Sequence, residues 1–338
     1  MARSSEEAPA IARVEPAEPE TWDCVWGICS YSTYFHSREW AEIWSAYHDG
    51  CIRPAARHVT FTDGLTALLP LSRRRRGRTP LYEYASSPGG TFGGWLSEDE
   101  LGARHRQLLA RYLVTHCRDL VWRRNPYDAH ESGAPLGAWS DDDTQALRLT
   151  DGFATVLRGS TKGHRSAFSK AAREGVSVSL ASTRSEWQAF YDLYAQSVRR
   201  WEARATSSYD LRLLEIMWRR ESPNIKLWLA THADKPVAGA LCLYAPRHVA
   251  YWLGAVDQEA LALRPVQRVV YGAIEDACAT GQEWFDFNPS GGHVGVSAFK
   301  KGFGTIRLPA PVLVARGPTS RFIDATRRGW ARSTAAGR

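Results

Sequence analysis

The feature that most constrains this chain is an order of elements that occurs twice along it. In the second half, His164 to Gly175 reads as a basic helical segment that stops at a glycine. An alternating strand, Val176 to Ala181, follows. Trp187, Phe190, Tyr191, Tyr194, Val198 and Trp201 then recur at helical spacing and define one apolar face. A helix over Leu211 to Arg220 ends before Pro223. Next come strands over Ile225 to Thr231, Val237 to Tyr244 and Val249 to Val256, joined by connections of hairpin length. The last two are apolar almost throughout, so cover on both faces is expected. A helix over Val266 to Ala277, stopping at Gly281, a short strand over Trp284 to Phe287 and a last strand over Ile306 to Ala315 close the unit.

The first half has the same order more loosely. A helix over Arg38 to Tyr47 precedes strands near Arg57 to Phe61, Leu65 to Leu71 and Leu81 to Ala85. A helix near Leu101 to His116 leads into a strand over Leu120 to Arg123, and Ala146 to Leu149 is expected to close this unit. The length of 338 residues suits two domains at roughly 100–200 residues each. The reading is therefore an α/β (α+β) chain in two tandem units, each a mixed, largely antiparallel sheet flanked by helices. The units are placed at 21–155 and 156–316, between a flexible, acidic N-terminus at 1–20 and a basic C-terminal helix and tail at 317–338.

A hydrophobic fraction of 44% and a charged fraction of 23% exclude a disordered chain, a collagen and a coiled coil. No apolar run approaches the ~18–20 residues of a spanning helix, and the acidic start lacks the apolar core of a signal peptide. A cytoplasmic protein without a membrane span is the expectation. The six cysteines are widely spaced, with no C-x-x-C pair. Neither a disulfide framework nor a metal site is expected, and most of the thiols read as small core hydrophobes.

The net charge of +7 is unevenly placed, with basic residues concentrated in Arg73–Arg78, in Arg158–Arg173 and after Arg316. Such clusters suit an anionic partner as well as a solvated surface. No Walker loop, dinucleotide fingerprint, kinase motif or Ser-His-Asp signature occurs, so ATPase, dehydrogenase and hydrolase readings have no support.

Several segments are more specific. The second unit opens with Lys162-Gly163-His164-Arg165 and continues through Lys170-Ala171-Ala172-Arg173-Glu174-Gly175-Val176; its hairpin carries Pro236-Val237-Ala238-Gly239-Ala240. Beyond Asp286-Phe287-Asn288 stands Phe299-Lys300-Lys301-Gly302-Phe303-Gly304, an F-K-x-x-F-G pattern. Phe35-His36-Ser37 with Trp40, and the glycine-rich stretch Gly89 to Gly94, add to this in the first unit. Together these resemble Fem-type aminoacyltransferases, which carry tandem GNAT acyltransferase domains. The resemblance covers about residues 30–316 and implies transfer of an aminoacyl group from aminoacyl-tRNA to the amine of a small peptide. A peptidoglycan or antibiotic precursor is the implied acceptor class, and no cofactor is implied beyond the tRNA co-substrate.

Amide formation from an ester needs a positioned amine, a polarised carbonyl and a route for a proton. By resemblance Lys300 is the cation at the ester oxygen, with Phe299 stacking beside it; Asp286, near the end of its strand, is a candidate to orient or accept a proton, against a role as a turn cap alone. A surface lysine beside a core phenylalanine is the competing reading. His164, Arg165, Lys170 and Arg173 are candidates to hold phosphate of the acceptor or the tRNA, against a merely solvated helix face. Tyr251, Asn288 and Ser290 are candidate substrate contacts, while Arg74, Arg75, Arg76 and Lys301 are weak candidate tRNA contacts, the arginines lying at an expected hairpin tip. Two alternatives stay open: an acyl-CoA-dependent N-acyltransferase and a non-catalytic RNA- or partner-binding protein on the same fold. Against acyl-CoA, Leu263 to Val269 lacks the glycines that present backbone N–H groups to a pyrophosphate, and Pro265 removes one donor outright.

Overall fold

A computed structural model describes residues 8–76, 81–117, 119–128, 139–201 and 208–317. The central meander of the second half forms as its pattern predicts: Ile225–His232, Lys235–Tyr244 and His248–Val256 pair antiparallel in sequence. Ala233 and Asp234 take φ of 47° and 60°, the left-handed backbone that a two-residue hairpin between right-twisted strands requires. Lys235–Tyr244 is buried from Val237 onward, because helices cover both faces of the sheet. On one side lie Lys162–Arg173 and Pro265–Ala279, contributing Ala171, Val269 and Ile274 to the core. On the other lie Arg184–Trp201 and Leu211–Trp218.

That second core is shared between the halves. Trp40 and Trp44 from Arg38–Tyr47, with Tyr34, Phe35 and Phe92, pack into the same cluster as Phe190, Leu213 and Leu241. The helix starts on Ser37, whose hydroxyl accepts from the Trp40 N–H at 3.0 Å, and this fixes where the two tryptophans face.

The sheets also exchange strands. Asp143–Arg148, expected to close the first unit, instead lies in the second sheet, between Trp284–Asp286 and Ile306–Pro309. The expected single strand over Ile306 to Ala315 breaks at Ala310-Pro311, where Pro311 has no N–H to extend a ladder. Its second part, Val312–Ala315, crosses back to pair with Leu120–Arg124 and Trp139–Ser140 of the first sheet. Apolar pattern reports that a strand is buried but not which sheet buries it, so sequence order alone misassigned both.

Other expectations are corrected. Residues 11–16, placed in a flexible N-terminus, form the strand Ile11–Pro16 paired with Arg57–Phe61. Ile11 and Val14 pack on the core beneath while Arg13 and Glu15 form an ion pair, so the acidic character marks an edge and not a loose tail. Thr66–Leu69 joins these in a separate three-stranded sheet. Arg73, Arg74 and Arg75 lie on the strand Ser72–Arg75, between Ile52–Pro54 and Tyr82–Ala85, and only the end of the run, from Arg76, whose N–H donates to the Leu81 carbonyl, enters the hairpin connection. The expected terminal helix after 317 lies outside the described residues. Among the described residues no helix is long and apolar enough to cross a membrane, and no group of three or more His, Cys, Asp or Glu is arranged to hold a metal ion. All six cysteines are free, with Cys29, Cys117 and Cys242 buried.

A fragment covering 156–316 lacks Asp143–Arg148 and leaves Trp284–Asp286 and Ile306–Pro309 with no strand between them. It is expected to show no cooperative thermal transition by circular dichroism, whereas the full chain melts cooperatively. A sharp melt from the fragment would show that the exchanged strand is dispensable.

Candidate active site

The site begins where two parallel strands part. His248–Val256 and Trp284–Asp286 pair only from His248/Trp284 to Ala250/Asp286. Beyond that the first strand runs on while the chain after Asp286 turns away through Asn288. In the same place the hairpin register skips: Leu253 faces Leu241 and Tyr251 faces Cys242, so Trp252 is bulged out of the ladder. The gap opens into a cavity of about 640 Å³. One wall is Tyr251 to Val256; the other is the loop Phe287–Ser290 with the helix Val294–Lys301.

Asn288 makes the turn with φ of 58°, a conformation that asparagine tolerates better than most residues. Its amide Nδ2 donates to the Tyr251 carbonyl at 2.9 Å and its backbone N–H donates to Asp286 Oδ1 at 2.5 Å. These contacts tie the two walls together and aim the Asn288 carbonyl at Lys300, whose Nζ donates to it at 2.6 Å. Lys300 is 5% exposed and lines the cavity. Burial pushes its pKa down to about 8, with Asp286, Asp143 and Asp142 opposing the fall. The ammonium is therefore mostly charged near neutral pH.

Asp286 lies behind this turn, 2% exposed. Besides the Asn288 N–H it accepts from Thr144 Oγ1 at 2.6 Å and from the Tyr127 hydroxyl at 2.5 Å. Burial raises its pKa, while Thr144, Tyr127, the Asn288 N–H and Lys300 hold it down. Thr144 comes from the exchanged strand and Tyr127 from the first half, so the carboxylate is satisfied only once both halves are assembled.

The expected residues thus fall into two groups. Lys300, Phe299, Tyr251, Asn288 and Ser290 surround one cavity, and Asp286 stands directly behind it. His164, Arg165, Lys170 and Arg173 share the helix Lys162–Arg173, but none lines the cavity. His164 packs against Phe303 and Phe299 at 4.5 and 5.4 Å between ring centres, in a space that exists because Gly302 has no side chain. Burial lowers its pKa. Arg165 donates to the carbonyls of Arg158 and Ser160, which capture its guanidinium for the local backbone. Arg74 pairs with Glu83, and Arg76 lies 3.7 Å from Asp119. These two, with Arg75 and Lys301, are also absent from the cavity wall.

Sequence reasoning missed Tyr127 and Thr144 as parts of the site, together with the helix that carries Lys300; it left open whether Tyr251 or Trp252 faces the cleft, and both line the cavity. Trp252 packs on Trp40 and Tyr209, each at 5.2 Å between ring centres, so the first half braces the cavity wall. No pattern marks Tyr127, which stands alone in a loop; only its contact with Asp286 reveals it.

The sheet opened by this bulge and strand splay points to a class: residues 158–301 match the family model of an acetyltransferase (GNAT) domain. The whole chain is similar to the crystal structure of FemX, with a TM-score of 0.72 and 14% identity over 92% of this chain and 99% of that one. It is also similar to a conserved protein of unknown function from Bacteroides thetaiotaomicron (TM-score 0.59, 9% identity, 90% of this chain and 98% of that one). A third likeness is to L-PGS from Bacillus licheniformis (TM-score 0.54, 11% identity, 93% and 97%). No curated protein sequence matches the chain. At these identities the likeness is one of fold: the chain shares the fold of FemX over most of its length, and its second half matches the GNAT domain model.

Because burial depresses Lys300 and Asp286 opposes that, removing the carboxylate lowers the lysine further. By nuclear magnetic resonance the Lys300 side chain is expected to titrate near pH 8 in the native protein and at lower pH in Asp286→Asn. An unchanged or higher midpoint in the variant would show that the two groups do not interact.

Proposed function

We propose that this protein is an amide-forming acyltransferase that takes an aminoacyl group from aminoacyl-tRNA and gives it to the amine of a small peptide or of a peptidoglycan or antibiotic precursor. The observation that carries the reading is a buried, positively charged Lys300 at the base of a cleft formed by the bulged strand and the splayed loop. The likeness to FemX supports the aminoacyl donor.

The proposed chemistry is aminolysis of the ester. The acceptor amine attacks the ester carbonyl, the C–N bond forms as the C–O bond to the ribose breaks, and the amine proton passes to the departing oxygen. Lys300 is placed to stabilise negative charge on the oxygen, a contribution of about 3–4 kcal/mol for a single well-placed donor. The bulge at Trp252 removes backbone groups from the ladder at the same wall. Asp286, already holding three donors, is suited to positioning Lys300 and Asn288, not to carrying the proton.

The donor could instead be a thioester, a reading favoured by the GNAT acetyltransferase match. Against it, the helix Pro265–Ala279 opens on a proline after a left-handed Arg264, with no glycine turn to present N–H groups to a pyrophosphate.

Incubation with total aminoacyl-tRNA and a panel of amines is expected to give RNase-sensitive transfer. RNase-insensitive transfer from an acyl-CoA would replace this reading with the thioester one. Lys300→Met is expected to lower turnover at least about tenfold without loss of fold. In the native enzyme the Lys300 contribution is present below pH 8 and is lost as pH rises through about 8, where the lysine gives up its proton; a rate limb that is identical in Lys300→Met would remove the lysine from the mechanism.

A further inference from the structure

We infer that the cavity accepts a bulky, uncharged apolar or aromatic side chain on the transferred group and excludes a cationic one. This rests on the acyl-transfer reading and adds the substrate class to it.

The argument is the chemistry of the wall. From Tyr251 the strand runs about 15 Å to Val256, so the cavity has a reacting end, at Lys300, and a far end. Leu253, Ala255, Val256 and Val266 line it on the far side, and Tyr194 and Trp252 add aromatic faces. Among the described residues, the wall carries no carboxylate; its only charged or titratable side chains besides the tyrosines are Lys300 and His293.

The nearby charges do not reverse this. Asp286 is turned away, its oxygens held by Thr144, Tyr127 and the Asn288 N–H. Asp142 and Asp143 are paired with Arg123 and Arg307. Beyond the far end Arg200 donates to Ser197 Oγ at 3.0 Å and to the Val256 carbonyl at 3.4 Å. Asp257 and Glu259 line a separate depression with Arg199 and Arg200. A lysyl or arginyl side chain would meet Lys300 and no carboxylate on the wall, and would lose hydration with no ion-pair partner in return. A leucyl or phenylalanyl side chain buries apolar area against walls already built for it.

The test is binding of N-acetyl-L-phenylalaninamide and N-acetyl-L-lysinamide to the full chain, followed by calorimetry. These probes isolate the side chain from the donor. The phenylalanine probe is expected to bind at least tenfold more tightly, and Val256→Glu is expected to shrink that ratio by strengthening lysine binding. Should that variant fail to fold, Val266→Glu makes the same test from the helix Pro265–Ala279. Equal or tighter binding of the lysine probe to the native protein overturns the inference, as does failure of both probes to bind at their solubility limit, or a ratio unmoved in a folded variant. Transfer from phenylalanyl-tRNA and lysyl-tRNA is measured separately. Selective binding without transfer from either tRNA would refute the donor and leave the side-chain preference standing.

Discussion

A single buried carboxylate organises the site. Asp286 accepts one hydrogen bond from its own turn, one from the exchanged strand and one from the first half of the chain. A carboxylate this deep is costly unless its oxygens are satisfied, and here one of the donors that satisfy it is the backbone N–H of Asn288, which ties the left-handed turn to the carboxylate. The Asn288 carbonyl then receives the Lys300 ammonium. Burial disfavours the charge on Lys300, and the carboxylates of Asp286, Asp143 and Asp142 oppose that fall.

The tandem arrangement therefore does more than repeat a fold. Because Asp143–Arg148 and Val312–Ala315 change sheets, neither half completes its sheet alone. The shared core of Trp40, Trp44, Phe190 and Leu241 binds the halves face to face, and Trp40 presses on Trp252 where the strand bulges. The second half supplies the groups expected to meet substrate; the first supplies Tyr127 and the brace behind them.

Charge shows how differently sequence and structure weigh the same residues. The basic clusters stand out along the chain, yet Arg165 binds local carbonyls, Arg74 pairs with Glu83 and His164 packs between phenylalanines. Lys300 stands out less by composition than by its place in an F-K-x-x-F-G pattern, and it is the one that is buried and facing the cavity. A run of like charges reports where charge is plentiful, whereas chemistry depends on where charge is desolvated.

Local sequence determined the meander, the helices with clear apolar faces and the motif that carries Phe299 and Lys300, because each depends on spacing within a few residues of the chain. Asn288 and Ser290 were within reach for the same reason, lying just beyond a recognisable strand. Tertiary structure alone decided the sheet that each exchanged strand joins, the bulge at Trp252, and the pairing of Tyr127 and Thr144 with Asp286. Those contacts join residues about 140 to 160 positions apart, and no periodicity encodes a distance that only the folding of both halves brings to hydrogen-bond length.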